Sequence, residues 1–292
     1  MRVTEGMRYT EVLRNLSNIT SQHAEAAQRA ASGIRVGKPS DDPIAAAELA
    51  RLRASSSQTS AHLSTIDTVR GDAELTESVL AEASDIFARL KDIAMQGSNG
   101  GLGAQERQAL GVEATGLKEA LLQLGNTRGT RGYLFSGSLV STAAFNSAGG
   151  FQGNDQDHVV PIGNSTPTTV STSGADAFVV AGGRNVFADI DALSAALGAN
   201  DEAGIRASLD SVDASHAQLV NARARSGLVL SKLDASHSVL SSLDTEQNRR
   251  AQAAGAADPF EAYSRVTTLG QSLERAIAVS RQILDIGSGN RF

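Results

Sequence analysis

The residues best suited to chemistry in this chain are its histidines, and their spacing does not predict a reaction or a metal site. They are His23, His62, His158, His216 and His237. A zinc site needs three or four ligands within reach of one ion, often with two histidines four residues apart on a helix. No such pair occurs, and the absence of cysteine also removes thiolate ligands and thiol nucleophiles. We therefore expect no metal, no cofactor and no enzymatic activity, and we interpret the histidines as packing residues.

The acidic and glycine-rich clusters also have structural explanations. Asp41 and Asp42 stand directly before Pro43, where a carboxylate commonly caps a new helix. The segment 154–157 offers oxygen donors but lacks the glycine and glutamate of a calcium loop, so a hairpin turn is the better interpretation. The glycine-rich segment 97–103 follows a helix rather than a strand, which favours a connector over a phosphate-binding loop.

The composition favours long helices over a deep binding pocket. Hydrophobic residues make up 41% of the 292 positions, but aromatic residues only 4%, and tryptophan is absent. We therefore expect a core of Ala, Leu, Val and Ile in closely spaced helices. The net charge of -6 and the scattered arginines argue against nucleic acid as a partner. No stretch approaches the roughly 20 apolar residues of a membrane span, and the first residues lack the apolar region of a secretory signal.

Both ends of the chain carry a narrow apolar seam with alternating steps of three and four residues. This spacing predicts helices over about 3–31 and 259–286, each of which needs a partner to cover its seam. The seam positions that we expect to take part in subunit assembly are Val12, Leu16, Ile19, Ala26, Val266, Leu269, Leu273, Ala276 and Ile283. His23 lies on the first seam as its polar member.

Longer helices are predicted between these ends, over about 43–96 and 203–254, with shorter ones over 104–127 and 187–197. The seam of the first long helix is strict: Ile66, Val69, Ala73, Thr76, Leu80, Ala83, Phe87, Leu90 and Ala94. Short apolar runs between turn residues, at 133–135, 159–162 and 178–180, predict several strands in the middle. The fold class is thus mainly α, a long antiparallel coiled-coil-like bundle formed by both chain ends, with a small β-rich insert. We expect three domains: 1–42 plus 258–292, 43–131 plus 188–257, and 132–187.

The segment between the first two helices resembles a family motif. Its sequence is SGIRVGKPSDDP, and the residues that we single out are Gly33, Arg35, Pro39, Ser40, Asp41, Asp42 and Pro43. A second segment, NTRGTRGYLFSG at 126–137, leads into the insert. Both resemble the flagellin superfamily, and Ser40 and Pro43 favour its hook–filament junction proteins over filament flagellins. The last residues, 283–292, depart from the usual family ending.

The resemblance implies a structural subunit of the bacterial flagellum that forms an adaptor ring between hook and filament. The partners implied are copies of itself, a neighbouring hook-associated protein, flagellin and a cytoplasmic export chaperone. It also implies secretion through the flagellar type III export apparatus to an extracellular position. Filament flagellin remains the alternative, and a generic helical-bundle binding protein the more distant one. A monomeric bundle whose seams are all satisfied internally also stays open on the pattern alone.

Overall fold

Long helices dominate the computed structural model, which describes residues 2–156, 159–162, 167–170, 174–179 and 184–289. The helices within these ranges are α1 (Arg2–Ser32), α2 (Pro43–Gly97), α3 (Ala104–Gly125), α4 (Gly174–Phe178), α5 (Val186–Gly198), α6 (Glu202–Gly255) and α7 (Pro259–Gly289). The strands are β1 (Arg128–Gly129), β2 (Gly132–Tyr133), β3 (Val159–Val160) and β4 (Thr168–Thr169). The mainly α fold with a small β-containing insert, predicted from the periodicity, is confirmed.

The helices α2 and α7 begin with the same N-terminal cap, an aspartate followed by a proline. Asp42 precedes Pro43, and its carboxylate accepts hydrogen bonds from the amides of Ile44 and Ala45, at 3.2 and 3.0 Å. Asp258 stands in the same relation to Pro259 at the start of α7. The carboxylate satisfies amides that lack an intrahelical acceptor, and proline at the first helical position has no amide to satisfy.

The chain divides into two compact units. The terminal unit contains residues 1–58 and 244–292, and the central unit contains residues 59–243. This division assigns 43–58 and 244–257 to the same unit as the chain ends, whereas the sequence favoured three domains. The reason is local packing, because Val36, Ala45 and Leu49 form a small core against Ala251 and Ala254.

The central unit is a bundle of antiparallel helices. In this unit α2 runs antiparallel to α6, with ion pairs from Arg70 to Asp234 and from Lys91 to Asp213. α3 packs on α5, where Lys118 bonds Asp191 at 2.6–2.7 Å. The predicted seam of α2 is buried at each position from Ile66 to Ala94. The periodicity therefore located the packed face of this helix correctly.

A cluster of phenylalanines fills the core where the insert meets the helices. The ring of Phe178 lies 5.2 Å from Phe135, 5.3 Å from Phe145 and 5.9 Å from Phe187, measured between ring centres. The expectation of a core built only from Ala, Leu, Val and Ile was therefore wrong here. A low aromatic content says how many rings exist but not whether they are gathered in one place.

The insert is held by short antiparallel pairings rather than by an extended sheet. β1 pairs with β2, and β3 pairs with β4. In the run 178–180, predicted as a strand, Phe178 instead ends the helix α4, where it is buried in the aromatic cluster, and Val179 forms an isolated antiparallel bridge with Asn185. Val180 lies outside the described residues, as do His158 and Asp157.

Candidate assembly surface

α1 and α7 pack against each other in the terminal unit. Val12, Leu16 and Ile19 of α1 are half-buried, and Ala26 is buried. The seam positions of α7 that face them are also half-buried, namely Val266, Leu269, Leu273 and Ala276. Ile283 lies in α7, but its side chain is outside the described part of the chain. The predicted seams thus lie along the contact between the two ends of one chain.

The outward surface of the same helices carries large apolar side chains. Tyr9 is 52% exposed, Phe260 86% and Tyr263 74%. These are the aromatic residues of the terminal unit whose side chains the structure describes, and none of them is buried. Leu13 of α1 and Val279 of α7 are also exposed. Phe260 and Tyr263 are neighbours on one face of α7, and adjoining exposed apolar side chains are typical of a surface that binds another protein.

The motif loop 33–43 ends α1, crosses to α2 and is attached to the segment that follows α6. Gly33 has a φ of +68°, a left-handed conformation that side-chain-bearing residues seldom adopt, and its amide bonds the carbonyl of Arg29. Its carbonyl accepts from Ala257, and the amide of Arg35 donates to Gly255 at 2.8 Å. The guanidinium of Arg35 also reaches the carbonyl of Ala254. The loop between α1 and α2 is therefore bonded to the last residues of α6 and to the connection between α6 and α7.

The two aspartates of the motif have separate tasks inside this loop. Asp41 accepts from the amides of Lys38 and Gly37, which lower the pKa of its carboxyl, and it also binds Arg29 at 2.9 Å. The amide of Ala45 and then the Arg35 guanidinium lower the pKa of Asp42. Both carboxyl groups therefore stay ionised to a lower pH than an unperturbed aspartate does.

Other motif positions act through backbone shape. Pro43 occupies the first turn of α2. Pro39 and Ser40 are exposed at the outside of the loop. In the second motif, the side chain of Asn126 donates to the carbonyl of Phe145 and accepts from its amide, both at 2.9 Å. These paired bonds fix the entrance to the insert.

Two buried charged residues, which the sequence did not single out, hold the central unit together. Arg107 is 3% exposed and donates to the carbonyls of Gly97 and Asn99 and to the side chains of Asn200 and Glu202. Asp72 is 5% exposed and accepts from the amide of Thr130 and from Arg131. The first ties together the ends of three helices, and the second attaches the motif at 126–137 to α2.

Among the described residues, no group of three His, Cys, Asp or Glu side chains lies close enough to hold a metal ion. His23 packs near Gly270, and His237 lies 3.4 Å from Asp67. In the same part of the chain, no helix combines the length and the apolar character needed to cross a bilayer.

Comparison with known proteins shows which proteins this chain is similar to. Residues 3–139 match the family model of the bacterial flagellin N-terminal helical region. The resemblance to the flagellin superfamily is therefore confirmed.

The similar proteins include flagellar hook-associated proteins and flagellins. Flagellar hook-associated protein 3 from Salmonella typhimurium is 26% identical over 180 residues, 61% of this chain and 57% of that protein. Its counterpart from Escherichia coli is 30% identical over 151 residues, 51% of this chain and 48% of that protein. Flagellin A from Vibrio cholerae is 26% identical over 150 residues, 51% of this chain and 38% of that protein. The match to this chain thus spans 48–57% of the two hook-associated relatives.

Solved structures of similar proteins agree with the fold. A proposed flagellar hook-associated protein from Vibrio parahaemolyticus is 25% identical, with a TM-score of 0.68, and the match covers 73% of this chain and 99% of that one. FlgL from Xanthomonas campestris, at 18% identity and a TM-score of 0.60, shows the same fold over 70% of this chain and 99% of its own. These relatives are structural flagellar proteins, not enzymes.

Proposed function

We propose that this chain is the adaptor subunit that joins the hook of the bacterial flagellum to its filament. The observation that carries the proposal is the identity of its relatives, since hook-associated proteins match it over a greater share of their length than flagellin A does. The terminal helices, within 1–42 and 258–292, are the part that we expect to bind neighbouring subunits.

The contacts of the terminal unit support this assignment. α1 and α7 cover each other's seams and leave aromatic side chains on the outside. Most of the stability of a helix in a protein comes from packing of its apolar face, so further packing on neighbours would stabilise these helices. A contact between two different faces repeats around an axis and closes into a ring when the rotation permits. The ring members would be copies of this chain.

The remaining partners follow from the position of such a ring. One face would meet a hook-associated protein and the other would meet flagellin. The chain would leave the cell through the flagellar type III export apparatus, with a cytoplasmic chaperone holding its apolar ends beforehand. The exposed side chains of Tyr9, Phe260 and Tyr263 would need such protection before assembly.

The test separates an adaptor from a filament protein. Purified chain is added at high concentration to flagellar seeds, first alone and then together with flagellin, and growth is followed by electron microscopy. We expect no long filament from the chain alone, because the hook-side and filament-side faces of an adaptor need not match each other, so one ring of copies does not bind a second ring. Cells that lack the gene should release unassembled flagellin into the medium.

Filament flagellin is the second candidate, because flagellin A of Vibrio cholerae shares 150 aligned residues with this chain. A filament subunit repeats one contact without limit along a helical lattice. If the purified chain alone grows filaments microns long, the adaptor proposal is wrong and the chain is a filament flagellin.

A further inference from the structure

The terminal unit contains an open groove of 270 Å³ between α1, the motif loop and the first turns of α7. Its walls include Gln22 and Arg29 of α1, Arg35 of the loop, and Glu261, Arg265 and Leu269 of α7. An apolar cavity of about 150 Å³ is large enough to hold benzene, so this groove has room for an aromatic ring.

The groove offers a chemistry that suits an aromatic side chain. Asp41 holds the guanidinium of Arg29 and Asp42 holds that of Arg35, each at 2.9 Å, so both cations are already fixed in place. Guanidinium groups attract the face of an aromatic ring that approaches within about 6 Å. Leu269 adds an apolar surface, and the carboxylate of Glu25 provides an acceptor for a phenolic hydroxyl.

The same unit presents an aromatic pair that has no cover. Phe260 and Tyr263 lie three residues apart on α7, so they are neighbours on one face of the helix, 86% and 74% exposed. A helix turns by about 100° per residue, which places this pair roughly 180° around α7 from Glu261, Arg265 and Leu269. The helix with its side chains is about 10 Å or more across, so the pair cannot enter the groove of its own chain.

We propose that the aromatic pair Phe260 and Tyr263 of one subunit inserts into the Arg29–Arg35–Arg265 groove of a second copy. Because donor and acceptor faces lie on opposite sides of α7, each copy still presents a free groove or a free pair after one contact forms. Such a head-to-tail contact continues from subunit to subunit and is suited to a ring. The inference deepens the proposed function by naming the lateral contact between copies.

Disulfide trapping tests this contact directly, because the chain has no cysteine of its own. The double variant Phe260→Cys/Gln22→Cys is expressed in cells that lack the native gene, and isolated flagella are oxidised mildly. A disulfide needs Cα atoms within about 7 Å, so we expect a ladder of linked subunits on a non-reducing gel. The matched control, Val239→Cys/Gln22→Cys, replaces an exposed residue of the central unit and should give no ladder.

The single variants decide the symmetry of the contact. Phe260→Cys alone and Gln22→Cys alone should remain unlinked, while dimers from Phe260→Cys alone would show an isologous contact and overturn the proposal. Absence of a ladder from assembled double variant would also overturn it, while the adaptor function would stand if junctions still form.

Alanine variants decide the matter if the double cysteine variant does not assemble. Phe260→Ala/Tyr263→Ala should leave the melting temperature of the free chain unchanged, since both side chains are exposed, and lower its incorporation at least about tenfold. Normal incorporation of this variant would overturn the lateral contact. Incorporation is counted with an antibody against the chain, separately from the presence of filaments.

Discussion

Arg107 shows how much a single side chain can organise when its acceptors come from distant parts of the chain. Its guanidinium bonds the end of α2 through Gly97 and Asn99, and the start of α6 through Asn200 and Glu202. A neutral residue of similar length would leave the buried carbonyl of Gly97 without this donor and would remove the cation that Glu202 binds. Polar groups buried without partners are costly, so the identity of this residue should matter more than its size.

Arg107→Met should lower the free energy of unfolding of the central unit by about 2–4 kcal/mol. The measurement is urea unfolding of the full chain, followed by circular dichroism. Arg206→Met is the matched control, because Arg206 faces the same Glu202 at 3.6 Å but is 66% exposed. We expect the control to change stability by no more than about 0.5 kcal/mol. Equal losses in both variants would contradict a special role for Arg107.

Asp42 gives the motif loop a defined dependence on pH. Its pKa is lowered in the folded chain, by the amide of Ala45 and then by Arg35, so the folded state binds fewer protons than the unfolded state. Its stabilising contribution is therefore present above the ordinary pKa of 3.8 and is lost as pH falls through the lowered value. The terminal unit should weaken in acid below about pH 4, and neutral pH should show no such change.

Asp42→Asn should reduce this acid dependence while preserving the start of α2, because asparagine caps a helix about as well as aspartate. Asp42→Ala should lose both the cap and the dependence. Amide hydrogen exchange of residues 44–46 at pH 3 and pH 7 separates these effects. Unchanged acid dependence in Asp42→Asn would mean that another carboxylate, such as Asp41, is responsible.

At the scale of elements, the seam of α1 and α7 was predictable because a helix repeats its environment every three to four residues. Leu16→Asp or Leu273→Asp places a charge at this half-buried contact and should destabilise the α1–α7 pairing by about 1–3 kcal/mol. Assembly should be blocked, while the melting transition of the central unit stays unchanged. Leu13→Asp, on the exposed side of α1, is the matched control for stability of the free chain.

A calorimetric scan of the free chain checks this prediction, and an assembly assay on flagellar seeds follows it. If Leu16→Asp lowers the melting temperature of the central unit as much as that of the terminal unit, the chain ends belong to one common core. That result would contradict the two-unit division.

Helix bounds, the seam of α2 and the cap at Asp42 followed from the sequence because each is encoded by residues near one another. The bonds of Arg107 did not follow from the sequence, because its partners Asn200 and Glu202 lie 93 and 95 residues away along the chain. Phe260 and Tyr263 did not follow from the sequence for a different reason. The seam pattern identifies the packed face of α7, and these two residues lie on the opposite face. The phenylalanine cluster required knowledge of which distant segments meet.

At the scale of the whole molecule, the two units differ in their cores. The buried apolar residues of the terminal unit are Ala26, Val36, Ala45 and Leu49, among the side chains that the structure describes. The central unit buries a much larger set, including five phenylalanines: Phe87, Phe135, Phe145, Phe178 and Phe187. Because burial of apolar surface dominates stability, the terminal unit should open more readily.

Limited proteolysis of the free chain should therefore remove about residues 1–40 and 258–292 first and leave a resistant middle. Mass spectrometry of the fragments identifies the cut sites. The same digestion on assembled flagella provides the comparison, in which the ends should be protected by neighbouring subunits. Uniform resistance of the free chain along its whole length would contradict this expectation.

The pairing of α1 with α7 has a consequence for any chain that emerges one end first, from a ribosome or from a narrow channel. The partners in this pairing are separated in sequence by all of residues 59–243, so the first helix to appear waits for the last. The central unit can fold in the interval, because its segments lie between the two. The terminal surface is thus the last part of the molecule to be completed. The appearance of α7 therefore sets the time at which this surface can form, and we expect a truncated product without α7 to be unable to form it.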